Sequence, residues 1–457
     1  MKTIDPDLEQ VRDVSVWRGA LVQQRRPRFS GRAEADVAVI GGGLTGLSAA
    51  LHLTRARPEW SVFLLEAGQI GAGASGRSTG IVGPGVGNGI GSLLRRFGPQ
   101  VARQAFRYTQ DAVDTLVKLT HDERIDCDLT PGAHLICAAT RAQAARLARQ
   151  QRIFTRLGLA VAAVPREELA RRAGHSGYRF ALEYQPVVLV NPLKLSLGLA
   201  DAAARSGVQV TESSPVTRVA AEPGGVRVEL GGQGWISARM AVIATDGYTP
   251  PFLPHGKKIF PVRTHVLATR PLTPDERASL RLADGDAIID HRMFFSYYRL
   301  DADGRLLFGG GPVLNPAAGS VASEHVWRRL ERELGALFPV LRDIPIEFRW
   351  SGLTSATLDE LPVVGEVPGK PGIFFAGAWR GHGLALSVAN GAWLADRMAH
   401  GSAGIELPWH RSRTGNPPLG PLRTPAVASY VRAFDTFDRI GGLTDRMRTA
   451  LSTRTGG

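Results

Sequence analysis

Only two cysteines occur in 457 residues, Cys127 and Cys137, and neither belongs to a Cys-x-x-Cys pair. A disulfide framework and a thiolate zinc site are therefore not expected, no metal site is assigned, and a reducing, cytoplasmic location is the simple reading. No apolar run approaches the roughly 18 residues that a membrane span needs, so integral membrane association is not expected. The first residues are polar and acidic (Asp5, Asp7, Glu9), without the charged-then-apolar layout of a secretory signal. Helix-turn-helix, zinc-finger and aromatic RNA-binding motifs are all lacking. The net charge of +13 comes mostly from arginines scattered along the chain. That describes a solvated basic surface or attraction for small anions, and nucleic acid is not an expected partner.

Glycine is abundant, at 53 residues, and one glycine cluster is informative. In Asp36-Val37-Ala38-Val39-Ile40-Gly41-Gly42-Gly43-Leu44-Thr45-Gly46 a strand-like apolar run enters a glycine turn, and a helix-forming stretch (44–53) leaves it. Gly41, Gly43 and Gly46 fill the pattern G-x-G-x-x-G. The first permits the tight turn, the second lets backbone approach a pyrophosphate, and the third lets helix pack on strand. The helix N-terminus aims free N–H groups and a positive dipole end at the phosphates. A second strand over 60–65 ends in Glu66, about 20 residues past the last glycine, where an acid meets a ribose hydroxyl. Strand, turn, helix, strand and acid in register point to a dinucleotide containing ADP.

The length predicts two domains. Residues 1–30 read as an extension with an Arg25-Arg26-Pro27-Arg28 link, and 68–91 as a long glycine-rich loop around a ligand. Helices are expected over 98–121, 141–157, 323–335 and 384–400. Asn191-Pro192 opens another that runs to about Arg205. Short strands are expected near 208–212, 216–220, 226–230 and 235–244. Further strands are expected over 258–269, 293–300 and 305–308, with a turn at Asp303-Gly304.

Taken together these pieces resemble the FAD-dependent oxidoreductases of the D-amino-acid, glycine and sarcosine oxidase family, and especially the gamma-glutamylputrescine oxidase-like branch. The resemblance rests on Val39 to Ala50, Leu64-Leu65-Glu66-Ala67 and Gly73-Ala74-Ser75-Gly76-Arg77. It continues in Tyr297 to Gly310, Thr357 to Gly365 and Gly381-His382-Gly383. It implies an α/β fold: a Rossmann-like FAD-binding domain of glutathione-reductase type, interleaved with an α+β substrate domain built on an antiparallel sheet. The FAD domain would comprise 31–95, 185–250 and 345–400, and the substrate domain 96–184 and 251–344. Residues 401–457 would form a partly helical C-terminal extension. Noncovalent FAD would be held by Gly41, Gly43, Leu44, Thr45, Gly46, Glu66 and Ala67, and by Ala74, Ser75, Gly76, Arg77, Ser78 and Thr79. Val216, Ala244, Thr245, Gly377, Trp379, Gly381, His382, Gly383 and Leu384 complete that set.

Departures from the family narrow the chemistry. Where sarcosine oxidases carry a flavin-bonded cysteine this chain has Gly352. Leu307 stands for the lysine that assists oxygen, and Ala385 for the lysine that grips the substrate carboxylate. The expected activity is oxidation of an amine or amino-acid C–N bond by hydride transfer to flavin N5, giving an imine that hydrolyses to a carbonyl compound. Candidate catalytic or substrate-lining residues are Arg299, Tyr297, His382, Arg292 and His265, with Arg263 and Trp379. Arg299 or Arg292 would hold an anionic substrate group. Oxygen or another electron acceptor would reoxidise the flavin. The alternatives are a dehydrogenase or tailoring enzyme on a specialised nitrogen compound, and a flavin-binding subunit without its own turnover.

Overall fold

The structure, a computed structural model, describes residues 14–19, 21, 25–292, 295–313 and 320–414; residues 415–457 of the expected C-terminal extension lie outside them. Two sheets dominate. The eight-stranded sheet follows the path Val363–Glu366, Ile373–Gly377, Gly234–Ile243, Gly31–Ile40, Val62–Leu65, Gln209–Thr211, with Gly225–Glu229 also beside Gly234–Ile243 and Arg218–Glu222 beside Gly225–Glu229. At its centre Gly31–Ile40 runs parallel to both Gly234–Ile243 and Val62–Leu65. Val37, Ala38, Val39 and Ile40 are all buried, as a strand covered on both faces requires. On one face Val39 packs with Leu47, Leu51 and Leu394 of the helices Leu44–Ala56 and Gly383–His400. On the other, Ile40 packs with Ile243 and Phe375. The helix Pro192–Arg205 starts as its cap residue dictates: Asn191 Oδ1 accepts from the N–H groups of Leu193 and Lys194 at 3.2 and 3.1 Å.

The nine-stranded sheet follows the path Ile346–Ala356, Phe260–Pro271, Arg305–Val313, Tyr297–Leu300, Asp286–Asp290, Thr130–Ala138, Phe180–Leu189, Ile81–Val82, with Ala162–Val164 beside Phe180–Leu189. It is antiparallel except at Thr130–Ala138 and Asp286–Asp290, which run parallel. The expected hairpin is present: Gly304 takes φ +77° and its N–H donates to Asp301 O at 3.1 Å. Helix Ser320–Leu337 covers one face, burying Trp327, Leu330 and Leu334 against Leu267, Leu306 and Phe308. The helical turn Val16–Gly19 covers part of the other, with Trp17 packed beside Leu307 and Trp350.

Several elements differ from the sequence reading. The strands Thr130–Ala138, Phe180–Leu189, Asp286–Asp290 and Ile346–Ala356 were not foreseen. Pro131 and Gly132 open the first, and Pro186 interrupts the second, which hides their alternation. Because Ile81–Val82, Phe180–Leu189 and Ile346–Ala356 belong to the second sheet, that sheet crosses the divisions drawn at 95, 185 and 345. The strand expected over 293–300 is confined to Tyr297–Leu300. The helix expected from 98 begins at Ile90, with a break at Gly98 (φ +79°) ahead of Pro99. Among the described residues no helix is long and apolar enough to cross a membrane.

Candidate active site

A cavity of about 720 Å³ runs from the glycine turn after Gly31–Ile40, between the two sheets, to a chamber walled by the second sheet. At its nucleotide end Gly41 takes φ +111°, leaving Gly43 to precede the helix N-terminus without any side-chain cap. A Cβ on Gly43 would stand 2.9 Å from Ser75 Oγ, which itself accepts from Leu44 N–H at 3.0 Å. The Glu66 carboxylate accepts from Gly42 N–H at 2.7 Å and Gly68 N–H at 2.8 Å, so it pins the turn from below. Burial raises its pKa, and the Gly68 and Gly42 N–H groups oppose that shift.

The turn between Ile373–Gly377 and Gly383–His400 forms the opposite wall. Asp246, which opens the helical turn Asp246–Tyr248 after Gly234–Ile243, accepts from Ala378 N–H at 2.8 Å and from Ser355 Oγ at 2.6 Å. It thereby ties this turn to the second sheet. His382 precedes the helix with no capping bond, so the helix leaves its first N–H groups facing the cavity. Burial, with Arg380 nearby, pushes the His382 imidazole down to about 4. The loop between these walls is held by indole donors. Trp17 Nε1 donates to Ser78 O and Trp350 Nε1 to Arg77 O, both at 2.8 Å. Arg77 itself donates to the carbonyls of Ala72 (2.7 Å) and Ser351 (3.0 Å).

Of the residues assigned to the cofactor from the sequence, Gly41, Gly43, Leu44, Glu66, Ala67, Ala74, Ser75, Arg77, Ser78 and Thr79 line this cavity. So do Val216, Ala244, Thr245, Trp379, Gly381, His382, Gly383 and Leu384. Thr45, Gly46, Gly76 and Gly377 do not. Gly46 acts in packing: a Cβ there would stand 2.1 Å from Gly41 O. At Gly76 it would stand 2.2 Å from Gly71 O, and at Gly377 3.1 Å from the Phe375 ring.

Of the five candidates for catalysis, Tyr297 and His382 line the cavity, and three residues do not. Arg299 is buried in the protein, where its guanidinium donates to the backbone carbonyls of Thr79, Leu300 and Val190 and lies 5.6 Å from the Trp17 ring. Arg292 is spoken for by Asp290, Ser296 and Glu333. His265 bonds Gly311 O and Ser323 Oγ on the far side of the sheet. Arg263 donates to Ser351 Oγ at 2.9 Å and is not part of the wall. The expected arginine clamp on the substrate is therefore not assembled: the strand pleat turns these side chains to carbonyls and carboxylates of the frame. Leu307 is fully buried with Val16, Trp17, Val266 and Trp350 and does not reach the cavity.

The chamber also holds residues that sequence reasoning passed over: Ile81, Gly83, His134, Ile136, Thr264, Ile289 and Phe295. His134 and Ile136 sit two apart on Thr130–Ala138, the alternation that puts both on one face. Tyr297 is partly buried, and desolvation raises its phenol to about 12 despite a hydrogen bond with Thr264.

The fit to a dinucleotide is good. The glycine cradle, the uncapped helix start, and the unpartnered Ser78 Oγ and Trp379 Nε1 all face one cavity. A family model described as FAD dependent oxidoreductase (DAO) matches residues 36–397. The chain belongs to this family of FAD-dependent oxidoreductases. It is 30% identical over 412 residues to gamma-glutamylputrescine oxidoreductase of Escherichia coli, covering 89% of this chain and 93% of that one. It is also 30% identical to the probable oxidoreductase OrdL of Haemophilus influenzae, over 80% of this chain and 83% of the relative. Glycine oxidase from Geobacillus kaustophilus shares the fold at TM-score 0.68 and 21% identity, covering 84% of this chain and 99% of that one. L-proline dehydrogenase from P. horikoshii does so at TM-score 0.65 and 18% identity, covering 82% and 96%.

Proposed function

We propose that this flavoenzyme oxidises the C–N bond of an amine, yielding an imine that water hydrolyses to a carbonyl compound. The observation that carries the reading is one continuous cavity, joining the glycine cradle at Gly41 and Gly43 to a chamber in which His134, Thr264 and Tyr297 stand among the apolar Ile81, Ile136 and Ile289. Bound FAD supplies the hydride acceptor at N5, and Gly41, Gly43, Glu66, Ser75, Arg77, Trp379 and Gly383 are the residues in place to hold it noncovalently. No cysteine is among the lining residues described.

The protein's own contribution is positioning and desolvation. Ile81, Ile136, Ile289 and Phe295 present an apolar wall that favours a neutral amine over an ammonium ion, and only the neutral form has the lone pair that drives hydride loss. The imidazoles of buried His134 and half-buried His382 remain uncharged near neutral pH, held at about 3 and about 4, and so do not oppose positive charge developing on the substrate carbon. The names of the relatives, an oxidoreductase of gamma-glutamylputrescine and an oxidase of glycine, agree with an amine or amino-acid donor.

A second reading concerns the electron acceptor. No lysine is among the described residues lining the cavity. That favours a dehydrogenase passing electrons to an acceptor other than oxygen. The purified holoprotein should be supplied with a panel of amines and amino acids, in air and with an artificial electron acceptor, and the carbonyl product trapped. A carbonyl product matching acceptor reduction supports the proposal. Bound flavin with no product from any donor would assign the chain to a noncatalytic flavin-binding role.

A further inference from the structure

Between Asp246 and Asp275 the chain carries no aspartate or glutamate, while the loop that follows Gly234–Ile243 carries Tyr248, Phe252, Lys257 and Lys258. All four are exposed, Tyr248 by 46% and Phe252 by 62%. The backbone beneath them is tightly folded. Leu253 N–H donates to Pro250 O and Gly256 N–H to Leu253 O, both at 3.0 Å, and Lys258 N–H donates to His255 O at 2.7 Å. Leu253 and Ile259 are buried in the core of the first sheet, and the His255 ring lies 4.9 Å from that of Phe375. The loop also closes on itself: a Cβ on Gly256 would stand 2.0 Å from Pro250 O and 3.1 Å from Pro251 Cα. That contact brings the start of the lysine pair to the corner formed by Pro251 and Phe252.

The place of the loop matters as much as its composition. Tyr248, Pro250 and Leu253 line the cavity, whereas Phe252, Lys257 and Lys258 do not. The loop is therefore a rim of the cavity that keeps aromatic and basic side chains in solvent. Rings held at a surface beside lysines match the boundary of an anionic bilayer, where the rings enter the headgroup layer and the ammonium groups meet its phosphates. The lack of carboxylates over this stretch removes the repulsion that would oppose such an approach. The net charge of +13 draws the whole molecule toward the same surface. A protein interface would need more apolar area than two rings and a proline corner supply, whereas a lipid surface asks for shallow insertion and charge. We propose that the loop 248–258 docks this protein peripherally on an anionic lipid surface, with the cavity rim against the headgroups. The proposal goes beyond the amine-oxidation reading and does not depend on which donor is oxidised.

The test uses the full-length, FAD-loaded protein and co-sedimentation with lipid vesicles. Vesicles of equimolar phosphatidylcholine and phosphatidylglycerol should carry the protein down, vesicles of phosphatidylcholine alone should not, and raised salt should release it. The double variant Lys257→Gln/Lys258→Gln should weaken partitioning about 10- to 30-fold. Lys118→Gln/Lys370→Gln, which removes the same charge from exposed sites outside the loop, should weaken it less than about threefold. Phe252→Ser should weaken it about tenfold, with Tm and FAD affinity as in wild type. A second arm reads insertion directly. Phe252→Cys is labelled with an environment-sensitive fluorophore, the two native cysteines being buried, and its emission should shift to the blue with the mixed vesicles alone. No binding to the mixed vesicles, equal losses in the two lysine double variants, or a label whose emission does not move would overturn the proposal. A label shielded from iodide by a soluble protein extract but not by vesicles would also overturn it, and would give the loop a protein partner instead.

Discussion

Arg299→Met removes a buried guanidinium that touches no carboxylate. Three of its N–H groups donate to the carbonyls of Thr79, Leu300 and Val190, and these would be left without donors. At about 1–2 kcal/mol each, that loss is about 3–6 kcal/mol. Against it stands the cost of burying the charge: burial holds the Arg299 pKa at about 10 instead of 12.5, worth about 3 kcal/mol of relief when the charge is removed. The net expectation is a destabilisation of up to about 3 kcal/mol, read as a lower midpoint in urea unfolding of the apoprotein. Thr79 lines the cavity, so FAD affinity should fall as well. Activity on an amino acid and on its uncharged ester should fall by the same factor, because the guanidinium reaches neither substrate. An unchanged unfolding midpoint with a loss confined to the acid would refute this reasoning and return Arg299 to the role of a substrate anchor.

Other consequences follow from the same geometry. Gly43→Val should abolish FAD binding, since even a Cβ meets Ser75 Oγ at 2.9 Å, and equilibrium dialysis with FAD reads this directly. Three buried histidines, His134 at about 3 and His255 and His265 at about 4, lie below the value of 6.5 they take when exposed. The unfolded chain therefore binds more protons between pH 4 and 6.5, so stability rises with pH across that window and is lost on acidification. At pH 5.5 each costs up to about 1.4 kcal/mol, roughly 4 kcal/mol together; a urea midpoint unchanged between pH 7 and 5.5 would contradict it. Leu307→Lys should lower Tm sharply, because the ammonium would enter the cluster of Val16, Trp17 and Trp350. Faster air reoxidation at an unchanged Tm would show that this side chain faces the flavin instead.

The nucleotide half was legible because its signals are local. Gly41, Gly43 and Gly46 and the strand before them fix one turn, and Asn191-Pro192 fixes one helix start, within a few residues of chain. The substrate half was not, because its strands take their places from partners far away in sequence. Thr130–Ala138 pairs with Phe180–Leu189 and Asp286–Asp290, and its proline and glycine disguise the period-2 pattern that carries His134 and Ile136. The arginines misled for a related reason. A sequence shows that Arg299 lies on a strand near the flavin loop, but the carbonyls of Thr79 and Val190 that capture it come from segments 220 and 109 residues away. Asp246 was visible as a turn residue, yet its grip on Ala378 and Ser355 appears only when both sheets are in place.

On the function proposed above, a neutral amine enters this cavity and gives up a hydrogen from the carbon beside its nitrogen. The most direct measurement is anaerobic mixing of the yellow holoprotein with N-acetyl-1,4-diaminobutane and with the same compound deuterated at the carbon bearing the free amine, following the bleaching of the flavin. Bleaching is expected with both, at a slower rate for the deuterated donor. Flavin that stays oxidised with these and with every other amine tried would contradict it.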